Sequence, residues 1–273
     1  MEVIWVPLTQ GLVTHSRIAS LRLSIARGLG SHSPRYLLSR KQASLMSPGR
    51  TINVVLKVLF IPAWWLLSLF GSAGQLTWNR GWICSVLYIG AISACRAVLA
   101  KFNPDVLQAR EEPIRKDTKP FDRVFLSLLL SLTIALPVIA GLDAVRFSWA
   151  PMPLWTIYPG ILLFAGSAIL ITWVLVKNPH AESSVRIQEE RRHAVIRSGP
   201  YRFVRHPMYV GLILLYLSMA LVLGSMWTLA VAALITILLL GRTAMEEKTL
   251  RKELQGYEEY TTVTRYRLMP GIW

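Results

Sequence analysis

An all-α integral membrane fold, with about six transmembrane helices, a C-terminal helical hairpin and a cytoplasmic C-terminal tail, is predicted from three features of the 273-residue sequence. Hydrophobic residues make up 53% and charged residues only 16%, with a mean hydropathy of +0.43. The apolar residues gather in blocks near the roughly 20 residues that a spanning helix needs. Thirty Lys and Arg against fifteen Asp and Glu leave a net charge of +15, and the basic residues concentrate between the blocks. A disordered chain, or a soluble basic chain that binds nucleic acid, would join its charge to low hydrophobicity, so both are excluded.

The apolar blocks run from Val54 to Phe70, Trp82 to Ala100, Val124 to Leu142, Leu154 to Val176, Met208 to Leu223 and Ser225 to Leu240. Only Gly224 separates the last two, and a glycine permits the tight turn that makes them a hairpin. Residues 1–53, 101–123, 177–206 and 241–273 carry seven, six, seven and six Lys and Arg. The stretches 71–81 and 143–153 have Arg80 and Arg146 alone, and the hairpin tip has none. Positive charge marks the cytoplasmic side. Both termini and both long connections are therefore expected there, and topology accounts for the basicity without a nucleic acid partner. Cys84 and Cys95, eleven residues apart in one block, are roughly 16 Å apart on a helix and beyond disulfide reach.

The chain reads as three regions. Residues 1–45 are a basic, Arg- and Ser-rich extension with no acidic residue between Glu2 and Asp105. That stretch reads as an organelle transit segment, as a basic interfacial helix, or as sequence upstream of a start at Met46. Residues 46–182 hold the first four spans and the connection 101–123, and residues 183–273 hold the chemistry. Among the bland readings, Arg96 snorkels from its span, the tryptophans anchor span ends at the interface, and Asp117 and Asp122 belong to a solvated connection. No Cys/His cluster has metal-ligand spacing, His180 and His193 included, and no glycine-rich dinucleotide motif follows a strand.

The segment Ser183 to Gly211, SSVRIQEERRHAVIRSGPYRFVRHPMYVG, enters the hairpin without a polar spacer, and Arg242, Glu246 and Glu247 leave it the same way. Antiparallel neighbours lie roughly 8–10 Å apart, so His206 and Tyr209 are expected to face Arg242 and the glutamates. Arg242 and Glu246, four apart, share a helical face. Pro200 and Pro207 exclude one continuous helix through the loop, and Gly211 admits a close neighbour. Such a rim offers a carboxylate for an ammonium, basic groups for a carboxylate, and aromatic faces for a flat ring.

At these residues the sequence resembles the isoprenylcysteine carboxyl methyltransferase and phospholipid methyltransferase superfamily, membrane enzymes that use S-adenosylmethionine. The resemblance rests on GPYRFVRHPMYVG, then R-x-x-x-E-E-x-x-L after an apolar hairpin, then G-Y-x-x-Y. It covers about residues 183–273, and the connection NPDVLQAREEPIRKDTKPFDR is similar to that of bacterial members of unassigned substrate. It implies that Tyr201, His206, Pro207, Tyr209, Gly211, Arg242, Glu246, Glu247, Tyr257 and Tyr260 border the cofactor. A glutamate would take the methionine ammonium and Arg242 or His206 its carboxylate. The acceptor implied is lipophilic, prenylated or lipid, and enters from the bilayer.

The reaction implied is an in-line displacement at the sulfonium methyl carbon, for which the enzyme chiefly holds both partners in near-attack geometry. A carboxylate acceptor is already ionised, and Arg205 or Arg267 would orient it. An ammonium acceptor, as in phospholipid N-methylation, needs a base, for which Glu247, Glu246 or His206 is at hand. An NADPH-dependent reductase of the sterol-reductase type shares the layout, but paired glutamates repel its anionic cofactor. A carrier would place polar groups near the bilayer midplane, where these spans have almost none.

Overall fold

The computed structural model describes residues 48–110, 118–186, 188 and 193–273. The N-terminal extension, with its transit, interfacial and start-site readings, lies outside the described residues, as does Asp117. The chain divides into two compact units, residues 1–61 and 62–273. Of the first, residues 48–61 are described and helical. The second holds the core, the hairpin and the tail.

Among the described residues the chain is helical and has no strand. The helices are α1 (Pro48–Ala73), α2 (Asn79–Phe102), α3 (Pro104–Ala109), α4 (Pro120–Gly141), α5 (Ile157–Lys177), α6 (Pro207–Leu223), α7 (Met226–Glu253) and α8 (Tyr257–Val263). A π-helical turn, Leu142–Arg146, extends α4, and a 3-10 turn, Leu154–Thr156, leads into α5. Four segments are long and apolar enough to cross a membrane: Asn79–Phe102, Pro120–Arg146, Leu154–Lys177 and Met226–Glu253. The other two blocks of the expected six form shorter apolar helices, Phe60–Ala73 and Pro207–Leu223. Leu67, Val86, Leu162, Ile169 and Ile237 point outward, as helix faces solvated by lipid do.

The last apolar run ends at Leu240 and α7 continues to Glu253, which keeps Arg242 and Glu246 on one helix, as their spacing predicts; residues 242–253 are mostly good helix formers and contain no proline. One sequence reading changes. Trp65 and Trp78 do not anchor an interface: both are buried in the core, and the Trp65 indole donates to Ser85 Oγ at 3.0 Å. Trp82, Trp149 and Trp155 are exposed.

The core lies between the latter half of α1, α2, α4 and the hairpin, with Leu69, Leu136, Met219, Leu223, Ile235 and Leu239 fully buried. Helices α5 and α6 approach closely through small residues, as apolar helices must when packing alone holds them. A Cβ at Gly211 would meet Ile171 at 2.6 Å, and Ser167 Oγ donates to the Gly211 carbonyl at 2.9 Å.

The hairpin tip is locked by two buried charges. Gly224 has φ 76°, and a Cβ there would meet the Arg80 guanidinium carbon at 2.2 Å. Arg80 donates from Nε to Val222 O (2.8 Å), from Nη1 to Met152 O (3.0 Å), and from Nη2 to Leu221 O and Thr156 Oγ1 (each 2.6 Å). A cation thus caps the carbonyl end of α6, where the helix dipole is negative. Asp143 does the converse, accepting from Ser225 Oγ (2.5 Å), Ala150 N (2.8 Å) and Trp227 N (3.2 Å) at the amide end of α7.

Candidate active site

At the other end of the hairpin the chain reverses through GPYRFVRHP before α6 begins. Gly199–Arg202 forms a 3-10 turn, His206 is the N-cap residue, and Pro207 occupies the first helical position, where its missing N–H costs nothing. Arg205 N and His206 N bond to Tyr266 O and Arg267 O, each at 2.9 Å, so the C-terminal tail is zipped to the start of α6.

Glu247 is the hub of this junction and is 1% exposed. Its carboxylate meets Arg205 Nη2 at 2.7 Å and Nε at 3.1 Å, His206 Nε2 at 3.0 Å, Arg251 Nε at 3.2 Å and Arg267 Nε at 3.7 Å. Arg205 Nη1 also donates to Thr264 O (2.7 Å) and Arg265 O (2.6 Å). Charges withdrawn from water remain ionised only with such partners.

A second pair ties α4 to α7. Arg242 Nε lies 2.8 Å from Asp122 Oδ1, Nη2 donates to Ser183 O at 2.7 Å, and the guanidinium packs over the Phe125 and Tyr209 rings at 4.6 and 5.4 Å. Asp122 is 0% exposed and accepts from Val185 N at 2.6 Å. The solvated reading of Asp122 is therefore corrected. The helix that carries it turns it inward onto Arg242, a partner 120 residues away in sequence.

Between these pairs lies a cavity of about 450 Å³, within the roughly 300–1,000 Å³ usual for small-molecule sites. Leu126, Leu129, Leu130 and Leu212 give it apolar surface, and Asn178, His180, Gln188, His193 and Glu246 give it polar surface. Tyr209 donates a very short hydrogen bond to Glu246 and stacks near-parallel on His206. Asn178 Nδ2 donates to the Tyr201 hydroxyl at 2.6 Å, and the Tyr260 hydroxyl to the Tyr201 carbonyl at 2.6 Å. Burial raises the phenol pKa of Tyr201, Tyr257 and Tyr260, the last to about 12, so all three stay neutral.

The His193 ring lies 4.5 Å from that of His180, and its buried Nδ1 has no hydrogen-bond partner among the described residues. Burial, reinforced by His180, lowers its pKa to about 4, so the ring is neutral near pH 7.

Of the residues singled out from sequence, Tyr201, Arg205, His206, Pro207, Tyr209, Arg242, Glu246, Tyr257 and Tyr260 line this cavity. Gly211 and Glu247 do not. Gly211 is spent on the approach to Ile171, and Glu247 points to Arg205 and His206, one helical step from Glu246. Sequence reasoning missed Asp122, Arg110, His180 and His193 as parts of the site. Asp122 had one available signal, as a lone acid inside the first turn of an apolar helix.

Comparison with known proteins adds one finding. Residues 155–256 match the model of the phospholipid methyltransferase family. No curated protein matches the chain. The matched stretch spans α5, the loop before the hairpin, the hairpin and the turn into α8, which supply most of the cavity wall. The chain is thus an integral membrane protein whose C-terminal region carries the pattern of the phospholipid methyltransferase family, in agreement with the resemblance read from its motifs.

Proposed function

We propose that the protein is an S-adenosylmethionine-dependent methyltransferase acting on a lipophilic acceptor, with donor and acceptor meeting in the cavity beside Glu246. One observation carries this reading: a carboxylate and four leucines line the same cavity. The bound donor would supply an electrophilic sulfonium methyl carbon. Glu246, paired among the described residues with Tyr209 and with no cation, suits an ammonium. Tyr201, Tyr257 and Tyr260 suit a purine, and Leu126, Leu129, Leu130 and Leu212 suit a hydrocarbon chain.

The residues' work is then positional. Glu247 and Arg205 hold the tail, and with it Tyr257 and Tyr260, against the cavity, which supports exclusion of water from the reacting atoms. A carboxylate acceptor, as in isoprenylcysteine O-methylation, needs no base. An amine acceptor, as in phospholipid N-methylation, must shed a proton, for which the Glu246 carboxylate is at hand in the cavity. Arg205, whose guanidinium is committed to Glu247 and two carbonyls, suits a positioning role better than contact with the acceptor. The test is methyl transfer in membranes that contain the chain, using methyl-labelled S-adenosylmethionine. Label in the lipid fraction, absent with Glu246→Gln, is expected; label confined to water-soluble products contradicts a lipophilic acceptor.

A further inference from the structure

Among the described residues four arginines line the cavity, and three hold a carboxylate: Arg186 with Glu182 (2.8 Å), Arg205 with Glu247 (2.7 Å) and Arg242 with Asp122 (2.8 Å). Arg110 does not. It follows α3 as the C-cap residue, and Nη1 donates to the carbonyls of Ala181 at 2.9 Å and Glu182 at 3.5 Å. Those two bonds orient the guanidinium. Among the described residues no carboxylate lies within ion-pair distance of it.

A half-buried guanidinium without a carboxylate among the described residues stands out in a cavity whose other three arginines are paired. Burial lowers the pKa of Arg110, Cys95 opposes this, and the like charge of Arg242 adds to it. The cavity also presents an acid, Glu246, that is bonded to Tyr209 and makes no ion pair among the described residues, although its charge reaches the Arg242 guanidinium. One such carboxylate and one such guanidinium in a single cavity are complementary to a zwitterion. The resemblance implied that Arg242 or His206 would take the carboxylate of the methionyl group. Both are engaged, Arg242 by Asp122 and His206 by Glu247.

We propose that Arg110 is the oxyanion-binding residue of this cavity, receiving a carboxylate or phosphate through guanidinium donors left open by the Ala181 and Glu182 carbonyls. The inference deepens the methyltransferase reading and rests on it. In that setting the oxyanion is the donor's methionyl carboxylate or the phosphate of an acceptor headgroup. Charge-assisted bonds of this kind are the stronger class, and bidentate geometry suits arginine.

The full chain in detergent, wild type and Arg110→Gln, is titrated with S-adenosylhomocysteine and, separately, with dihexanoyl phosphatidic acid. Glutamine keeps a donor for the Ala181 and Glu182 carbonyls without the charge, and Arg110→Lys keeps the charge. Weakening of S-adenosylhomocysteine by about tenfold or more in the glutamine variant, partly restored by lysine, assigns the oxyanion to the donor. Weakening confined to phosphatidic acid assigns it to the acceptor. Wild-type binding of either probe that is unchanged in Arg110→Gln for both overturns the proposal. If the wild type binds no S-adenosylhomocysteine, the methyl-donor reading fails by itself and the lipid arm decides. Loss of phosphatidic acid in the glutamine variant then sustains the oxyanion site. Equal binding, or none to wild type, overturns it.

Discussion

The two ends of the α6–α7 hairpin bury charge in opposite ways. At the tip, Arg80 and Asp143 spend their bonds mainly on the backbone, on the Leu221 and Val222 carbonyls and on the Ala150 and Trp227 amides. At the base, charge is paired with charge across different elements, Arg205 with Glu247 and Arg242 with Asp122, and a cavity of about 450 Å³ lies between. Charges satisfied by helix ends hold a turn in one shape. Charges satisfied by each other hold several segments apart around a space, and there Glu246 and Arg110 face a cavity without ionic partners among the described residues.

The largest effect expected from breaking this contrast is at the tip. Arg80→Met strands the carbonyls of Val222 and Met152, each worth about 1–3 kcal/mol when left buried, and leaves Leu221 O with Thr156 Oγ1 alone, so a loss of about 4 kcal/mol is expected in reversible unfolding in detergent. Glu247→Gln comes next. Removing the shared partner of Arg205 and His206 costs about 3 kcal/mol, and hydrogen exchange is expected to speed up through Tyr257–Leu268 while α2 stays protected. Gly224→Ala is smaller. A left-handed alanine costs about 1–2 kcal/mol, and its Cβ also meets Arg80, so a lowered unfolding midpoint with unchanged donor affinity is expected.

The smallest effect concerns pH. The folded pKa of His193, about 4, lies below the roughly 6.5 of a free histidine, so between those values the unfolded chain binds more protons than the folded one. Stability is therefore complete above about pH 6.5 and declines as pH falls toward 4. His193→Gln is expected to flatten this part of the profile of unfolding midpoint against pH.

The base was more legible in sequence than the tip. Each of the six apolar blocks falls on a helix, four of them long enough to span a membrane, and Gly224 marked the turn, because length and hydropathy are local properties. The motifs around His206 and Glu246 brought nine of the named residues to one cavity. What stayed hidden is long-range pairing. Arg80 read as a lone basic residue in a short turn, yet its partners lie more than 70 residues away in sequence. Asp122 read as solvated for the same reason. The paired glutamates were not separable either, since adjacent helical residues diverge by about 100° and only the true course of α7 shows which one faces the cavity.

The central claim is that the base of the hairpin is a methyl-donor site centred on Glu246 rather than a structural junction. Calorimetric titration of the detergent-purified chain with S-adenosylhomocysteine tests it most directly, with NADPH in parallel and Glu246→Gln as the variant. Saturable binding is expected for S-adenosylhomocysteine alone, weakened about tenfold or more in Glu246→Gln with the unfolding midpoint unchanged. Folded wild type that gives no heat with S-adenosylhomocysteine, or a variant that binds it as tightly as wild type, contradicts the account.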